Sequence, residues 1–189
     1  MTSIELVPTT YLELTAPPSG APLVSPQVGL SVVREPMTVD DYLALYVAVG
    51  GPLGWDGHIL MPRDTLAKLL ASPLTALFIL RIEGEPAGFC EFIAEDQPDA
   101  EIKYFGLVPA MQGRRLGPYL LDTAIRDYWF SQEPRRLWLH TDTWDSPKAL
   151  KTYLRAGFRI FATRGLLATA THDDYRAAIG LTAKVLPPA

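Results

Sequence analysis

The stretch most able to do chemistry is "MQGRRLGPYL", residues 111 to 120. It sets Gln112, Gly113, Arg114, Arg115, Gly117 and Pro118 between the end of one apolar run and the start of a leucine-rich one. Such a junction offers unpaired backbone N–H groups at the positive end of a helix dipole, a seat for an anion. Glycine lets the chain turn and lets a phosphate come close. Gln112, Arg114 and Arg115 add side-chain donors, and Pro118 gives up an N–H that the first helical turn leaves unpaired anyway. The same residues suit a plain solvated turn. From strand, glycine and helix alone, both readings stand. It is not a Walker loop, since no Gly-Lys-Ser/Thr follows, and the glycine spacing is not the dinucleotide fingerprint.

Other reactive groups are sparse. Cys90 is the one cysteine, so no internal disulfide forms, and among Phe89 and Phe92 it reads as an inert core thiol. His58, His140 and His172 are scattered without metal-ligand spacing, so no metal is expected. The 189 residues are 48% apolar with a net charge of -4, which argues for a folded chain and against a nucleic-acid partner. No apolar run reaches the length of a membrane span, and the first residues lack a basic start before an apolar block. The expectation is a cytoplasmic protein with no membrane partner.

The elements that must position this chemistry follow from periodicity. "TTYLEL" alternates as a short strand, "TAPPSGAP" reads as loop, and "LSVVREP" is a strand ended by Pro36. Thr38 caps a helix whose Tyr42, Leu45, Tyr46 and Val49 share a face, stopped by Gly50 and Gly51. "PLGWDGH" reads as an aromatic loop and "MPRDTLAKLLASP" as a short helix. "TALFILRIEGEPAGFCEFIAE" is a hairpin about "EGEP", and "EIKYFGLVP" a third strand. Leu120, Leu121, Ala124, Ile125 and Tyr128 mark the apolar face of a helix from 116 to 130. "RRLWLHTDT" is a strand, and "SPKALKTYLRAGF" a helix capped by Ser146 that buries Ala149, Leu150, Tyr153 and Leu154. "FRIFAT" is a last strand, and "THDDYRAAIGL" a weak helix. The order predicts an α+β fold, with antiparallel strands first and then βαβ crossovers.

In this setting the sequence resembles the GNAT superfamily of acyl-CoA-dependent N-acetyltransferases. The family signature Gln/Arg-x-x-Gly-x-Gly/Ala opens a helix after a bulged strand. Here it reads Gln112-Gly113-Arg114-Arg115-Leu116-Gly117, with Arg115 where the family usually has glycine. "LHTDTWDSPKALKTYLRAGFRIF" resembles the family's strand-helix-strand, with Tyr153 four residues before Gly157-Phe158 and Ser146 where asparagine often opens the helix. The resemblance covers about residues 29 to 163 of a single domain, with 1–28 an N-terminal extension and 164–189 a C-terminal segment. It implies the three-layer GNAT fold. A mixed, mostly antiparallel sheet is flanked by helices, and strands 101–108 and 136–142 splay apart at its centre.

The resemblance also implies a cosubstrate, acetyl-CoA. Its pantetheine would pair with backbone near Leu107 and Val108, and its pyrophosphate would sit on residues 113 to 118, with Ser146 nearby. Acetyl would pass directly to a primary amine in a ternary complex. Such an acceptor must be neutral to attack, the thioester oxygen must be stabilised, and the thiolate must be protonated. Glu101 is the first choice of base, at the position where the family's histone-type members place theirs, with Glu91 the second. Glu91 also fits as a cross-strand partner of Lys103. His140 reads as a packing or supporting residue. Tyr153 would protonate the thiolate, and the Leu107 or Val108 N–H would serve the oxyanion. Trp55, Asp56, His58 and Asp142 would line the acceptor side, with "THDDY" adding acidic residues. The acceptor stays open between a small-molecule amine and a peptide, and a homodimer is allowed. The alternative is a non-catalytic acyl-CoA-binding sensor or partner module.

Overall fold

The computed structural model describes residues 6–95 and 97–167. The first strand, β1 (Leu6–Leu14), is followed by β2 (Leu30–Arg34), α1 (Val39–Gly50), a short α2 (Gly57–Leu60) and α3 (Arg63–Leu70). Then come β3 (Thr75–Ile82), β4 (Glu85–Ile93), β5 (Asp99–Leu107), α4 (Leu116–Gln132), β6 (Arg136–Asp142), α5 (Ala149–Arg155) and β7 (Arg159–Leu167). The strands form one sheet in the order β2-β3-β4-β5-β6-β1-β7. All pairings are antiparallel except β5 with β6. That one parallel pair is what the β5–α4–β6 crossover requires. Among the described residues no helix is long and apolar enough to cross a membrane.

Strand alternation sends apolar side chains to both faces, and each face has its own helical cover. On one, Tyr42, Leu45, Tyr46 and Val49 of α1 and Leu66 of α3 pack on Leu77, Ile79 and Phe89. On the other, Leu116, Leu120, Leu121, Ala124, Ile125 and Tyr128 of α4 meet Phe78, Cys90 and Phe92, and Tyr153 of α5 joins them. These are the three layers predicted, with α4 buried on the face its spacing marked. Thr38 caps α1, its hydroxyl oxygen accepting from Asp41 N–H at 3.2 Å. The β3–β4 turn places Glu83 and Gly84 at φ 50° and 87°, the left-handed pair a two-residue hairpin needs.

Several local expectations change. The strand read as part of an extension runs between β6 and β7, and Tyr11 and Leu12 are fully buried there. The loop at residues 51–58 carries a 3-10 turn and the start of α2. α5 begins at Ala149 and not at Ser146, because Ser146 and Pro147 stay in a turn closed by the Ala149 N–H to Ser146 carbonyl bond. Leu150 and Leu154 are 36% and 45% exposed, so the buried face of α5 is narrower than predicted. A seven-residue helix at the sheet margin has one side to bury, and Tyr153 takes it. "THDDYRAAIGL" and its acidic residues lie outside the described residues.

Candidate active site

The site is made by a failure of pairing. β5 and β6 are in register only at Asp99–Arg136, Ala100–Leu137 and Glu101–Trp138. Past Glu101 the strands diverge, and a cleft of about 1200 Å³ opens between Ile102–Leu107 and His140–Asp142. β5 is also bulged. Glu91 faces Tyr104 and Phe92 faces Ile102, so Lys103 is the extra residue. A bulge increases local twist, which helps β5 turn away from β6.

At one end the cleft meets the N-terminus of α4. Gln112, Gly113, Arg115, Gly117 and Pro118 line it. Gly113 has φ 78°. Arg115 is the N-cap of α4 in the left-handed region, φ 63° and ψ 12°. The position the family fills with glycine is therefore one where backbone geometry favours glycine. No side chain caps the helix, so its first N–H groups are left for an incoming acceptor. Arg114 turns away, donating to Gln27 Oε1 at 2.9 Å and to Met111 Sδ at 3.0 Å, and does not line the cleft. Leu116 is fully buried in the core, so its backbone alone is available.

The edge of β5 sorts the two backbone candidates. Val108 N–H donates to the Ala87 carbonyl at 2.9 Å, across β4, and Val108 does not line the cleft. Its N–H is committed to the sheet and cannot bind pantetheine or an oxyanion. Successive N–H groups point to opposite edges, so Leu107 N–H faces the opening. Its carbonyl accepts from Gln112 Nε2 at 3.4 Å. Ser146 lines the cleft mouth.

Deeper in, Glu101, His140, Asp142 and Tyr153 share the cleft wall. Glu101 is 3% exposed, at the last paired position before the splay, with His140 Nδ1 3.8 Å from Oε1. His140, expected to pack or to support, stands beside the first-choice base. Burial pushes the Tyr153 phenol well up, with the nearby Asp145 carboxylate adding to it, so it stays protonated. Asp145 joins the cleft wall from the loop after β6, where no periodicity points to it. Its Oδ2 accepts from Thr141 hydroxyl at 2.7 Å and Asp142 N–H at 3.3 Å. Trp55, from the loop before α2, also favours the charged form of Asp145. Burial raises the Asp145 carboxyl above its usual range.

The wall expected to face an acceptor is aromatic. Trp55, Asp56 and His58 line it with Tyr104. Tyr104 packs against Trp55 and His58 at 5.0 and 4.8 Å between ring centroids, and against Tyr46 at 4.9 Å. Behind them Glu91 is fully buried, accepting from the Tyr42 hydroxyl. Its partner across the strands is Tyr104 and not Lys103, because the bulge shifts the register. Burial raises the Glu91 carboxyl from 4.5 to about 7, although the Tyr42 bond and Lys103 oppose this. Cys90 is fully buried and its thiol is pushed well up, as an inert core thiol should be.

Residues 44–158 match the family model described as acetyltransferase (GNAT) family. Among solved structures, a GCN5-related N-acetyltransferase from Sphaerobacter thermophilus superposes with a TM-score of 0.65 at 20% identity, covering 85% of this chain and 50% of that one. A GCN5-related N-acetyltransferase from Kribbella flavida gives 0.62 at 17%, covering 90% and 61%. The aminoglycoside acetyltransferase meta-AAC0020 from an uncultured soil metagenomic sample, in complex with trehalose, gives 0.57 at 17%, covering 68% and 87%. The chain thus spans 50% and 61% of the length of the first two. No curated protein matches the sequence.

Proposed function

The chain belongs to the acetyltransferase (GNAT) family, and from that premise we propose that it moves an acetyl group from acetyl-CoA to a primary amine by direct transfer in a ternary complex. The observation that carries this is one continuous cleft joining the α4 N-terminus to Glu101 and Tyr153. The pyrophosphate would lie on the N–H groups from Gly113 to Gly117 beside Arg115. The pantetheine would follow the open edge of β5 at Leu107. The thioester would end between the splayed strands, facing Trp55, Asp56, His58 and Asp142.

In this reading Glu101 takes a proton from the attacking nitrogen, with His140 beside it. The carbonyl oxygen, becoming anionic, meets the Leu107 N–H. Tyr153 gives its proton to the leaving thiolate and regains one from solvent. The dry surroundings that hold Tyr153 protonated also raise the conjugate thiol, so the transfer stays only modestly uphill.

The test has two arms. Acetyl-CoA at a hundredfold over its Kd should add about 2.7 kcal/mol of stability, read as a higher melting temperature. Thiol release over a panel of amines, small and peptidic, should then show turnover. No melting shift counts against any CoA role. A shift with no thiol release from any amine selects the non-catalytic binding module.

A further inference from the structure

Behind the aromatic wall lies a chain of titratable groups that the steps above do not use. Glu91 is fully buried, its Oε1 makes no hydrogen bond, and its Oε2 accepts from the Tyr42 hydroxyl. The same Tyr42 oxygen lies 2.7 Å from His58 Nδ1. A phenol has one proton, and Tyr42 spends it on Glu91. The contact with His58 is therefore Nδ1–H donating to the Tyr42 oxygen, which puts the lone pair of the neutral ring on Nε2. His58 Nδ1 and Glu91 Oε2 are 4.0 Å apart, too far for a direct bond, so Tyr42 is the bridge. The His58 ring lines the cleft, stacked on Tyr46 at 5.4 Å.

We propose that His58, Tyr42 and Glu91 form a proton relay that strips the first proton from the acceptor, so that the acceptor is an amine arriving in the cleft as an ammonium ion. This rests on the N-acetyltransferase reading above. The ammonium N–H bond breaks as the proton goes to His58 Nε2. The Nδ1 proton passes to the Tyr42 oxygen, and the Tyr42 hydroxyl proton passes to Glu91 Oε2. An ammonium and a carboxylate become an amine and a carboxylic acid, and no net charge is left buried. The nitrogen sheds its second proton during attack, to Glu101, while Tyr153 protonates the thiolate. Ammonium plus thioester thus gives amide, thiol and one proton, which leaves Glu91 for water between turnovers.

The surroundings suit this sink. Lys103 and Glu101 act on Glu91 from β5 with opposite signs. Tyr104 and Tyr46 stay neutral, burial holding the first well up and pushing the second to about 12. Tyr42 is held well up by burial and by Glu91, so it passes protons without pausing as a phenolate.

Imidazole nitrogen NMR on the whole protein reads the relay directly. Above the Glu91 transition His58 should be neutral with its proton on Nδ1, and below it neutral with its proton on Nε2. Tyr42→Phe and Glu91→Gln should each abolish this exchange of tautomers. In thiol-release assays, Tyr42→Phe should lower kcat/KM about 100-fold at pH 7. The deficit should shrink about tenfold per pH unit above that, as free amine in solution replaces the relay. A deficit of constant size at every pH overturns the proposal, as does a His58 ring that titrates with both nitrogens protonated. If acetyl-CoA binds but no amine is acetylated, the N-acetyltransferase reading fails, and the tautomer exchange still judges the relay by itself.

Discussion

Replacing Arg115 by glycine should make the unliganded protein more stable and its grip on acetyl-CoA weaker. Arg115 sits at φ 63°, ψ 12° as the N-cap of α4. An L-residue pays roughly 1–2 kcal/mol in the left-handed region. Glycine escapes that cost but loses about 0.5–1 kcal/mol through the greater freedom of its unfolded chain. At the midpoints of those ranges the net gain is about 0.75 kcal/mol. For a chain of 189 residues that raises the melting temperature by roughly 1.5–3 °C. Arg115 is exposed and lines the cleft where the pyrophosphate is proposed to lie, so the lost charge contact is discounted for solvent to about 1 kcal/mol, about fivefold in Kd. Arg115→Ala separates the two effects, since it removes the charge and keeps the strained backbone. It should weaken acetyl-CoA equally with no gain in melting temperature. Thermal melts with and without acetyl-CoA, together with calorimetric titration, read both quantities. A lower melting temperature for Arg115→Gly would refute the strain assignment, and unchanged affinity in both variants would refute the phosphate contact.

Tyr153→Phe should leave acetyl-CoA affinity within about twofold and lower kcat about 100-fold in a thiol-release assay, as expected for a lost general acid. Intact turnover would reassign that proton. Glu101→Gln should lower kcat about 100-fold in the same assay, and an unaltered kcat places the second proton elsewhere. Glu91 makes a prediction about folding itself. Its carboxyl is raised from 4.5 to about 7, so between those values the native chain keeps a proton that the unfolded chain has lost. The stability this brings is whole below 4.5 and gone above about 7, a fall on the order of 3 kcal/mol across the window. Denaturant melts from pH 4 to 8 should show it in the parent and a flatter profile in Glu91→Gln, whose amide oxygen still accepts from Tyr42.

Much of the fold was legible because its signals are local. The α4 face, the Thr38 cap and the β3–β4 turn each depend on residues within a few positions of one another. The glycine turn was legible too, although the spacing could not tell Arg114 from Arg115. One lies at a backbone angle that aims it into the cleft wall, and the other is drawn to Gln27, far off in sequence. The same limit applies to Leu107 and Val108. Which of two adjacent N–H groups faces an opening depends on the pairing partner, here Ala87. Glu91 fits Lys103 as a cross-strand partner in sequence, and a single bulged residue puts Tyr104 in that place. Tyr42 looked like core from its spacing, and it is core, but its hydroxyl reaches Glu91 and His58 from 49 and 16 residues away.

The strand read as an extension bears on the site most directly. Once β6 leaves β5, one of its edges borders the cleft, and only the other can hold it in place. β1 fills that other edge. Tyr11 is the register partner of His140, and their ring centroids are 5.8 Å apart. Glu13 of β1 accepts from Arg136 at 3.1 Å and from Arg159 at 3.0 Å, binding β6 and β7 through one carboxylate. Arg136 in turn lies 3.3 Å from Asp99, next to the point where β5 and β6 last pair. The splay is therefore pinned at its root by ion pairs and along its far side by β1. His140 stands beside Glu101, Nδ1 3.8 Å from Oε1, and an N-terminal segment outside the matched family residues keeps it there.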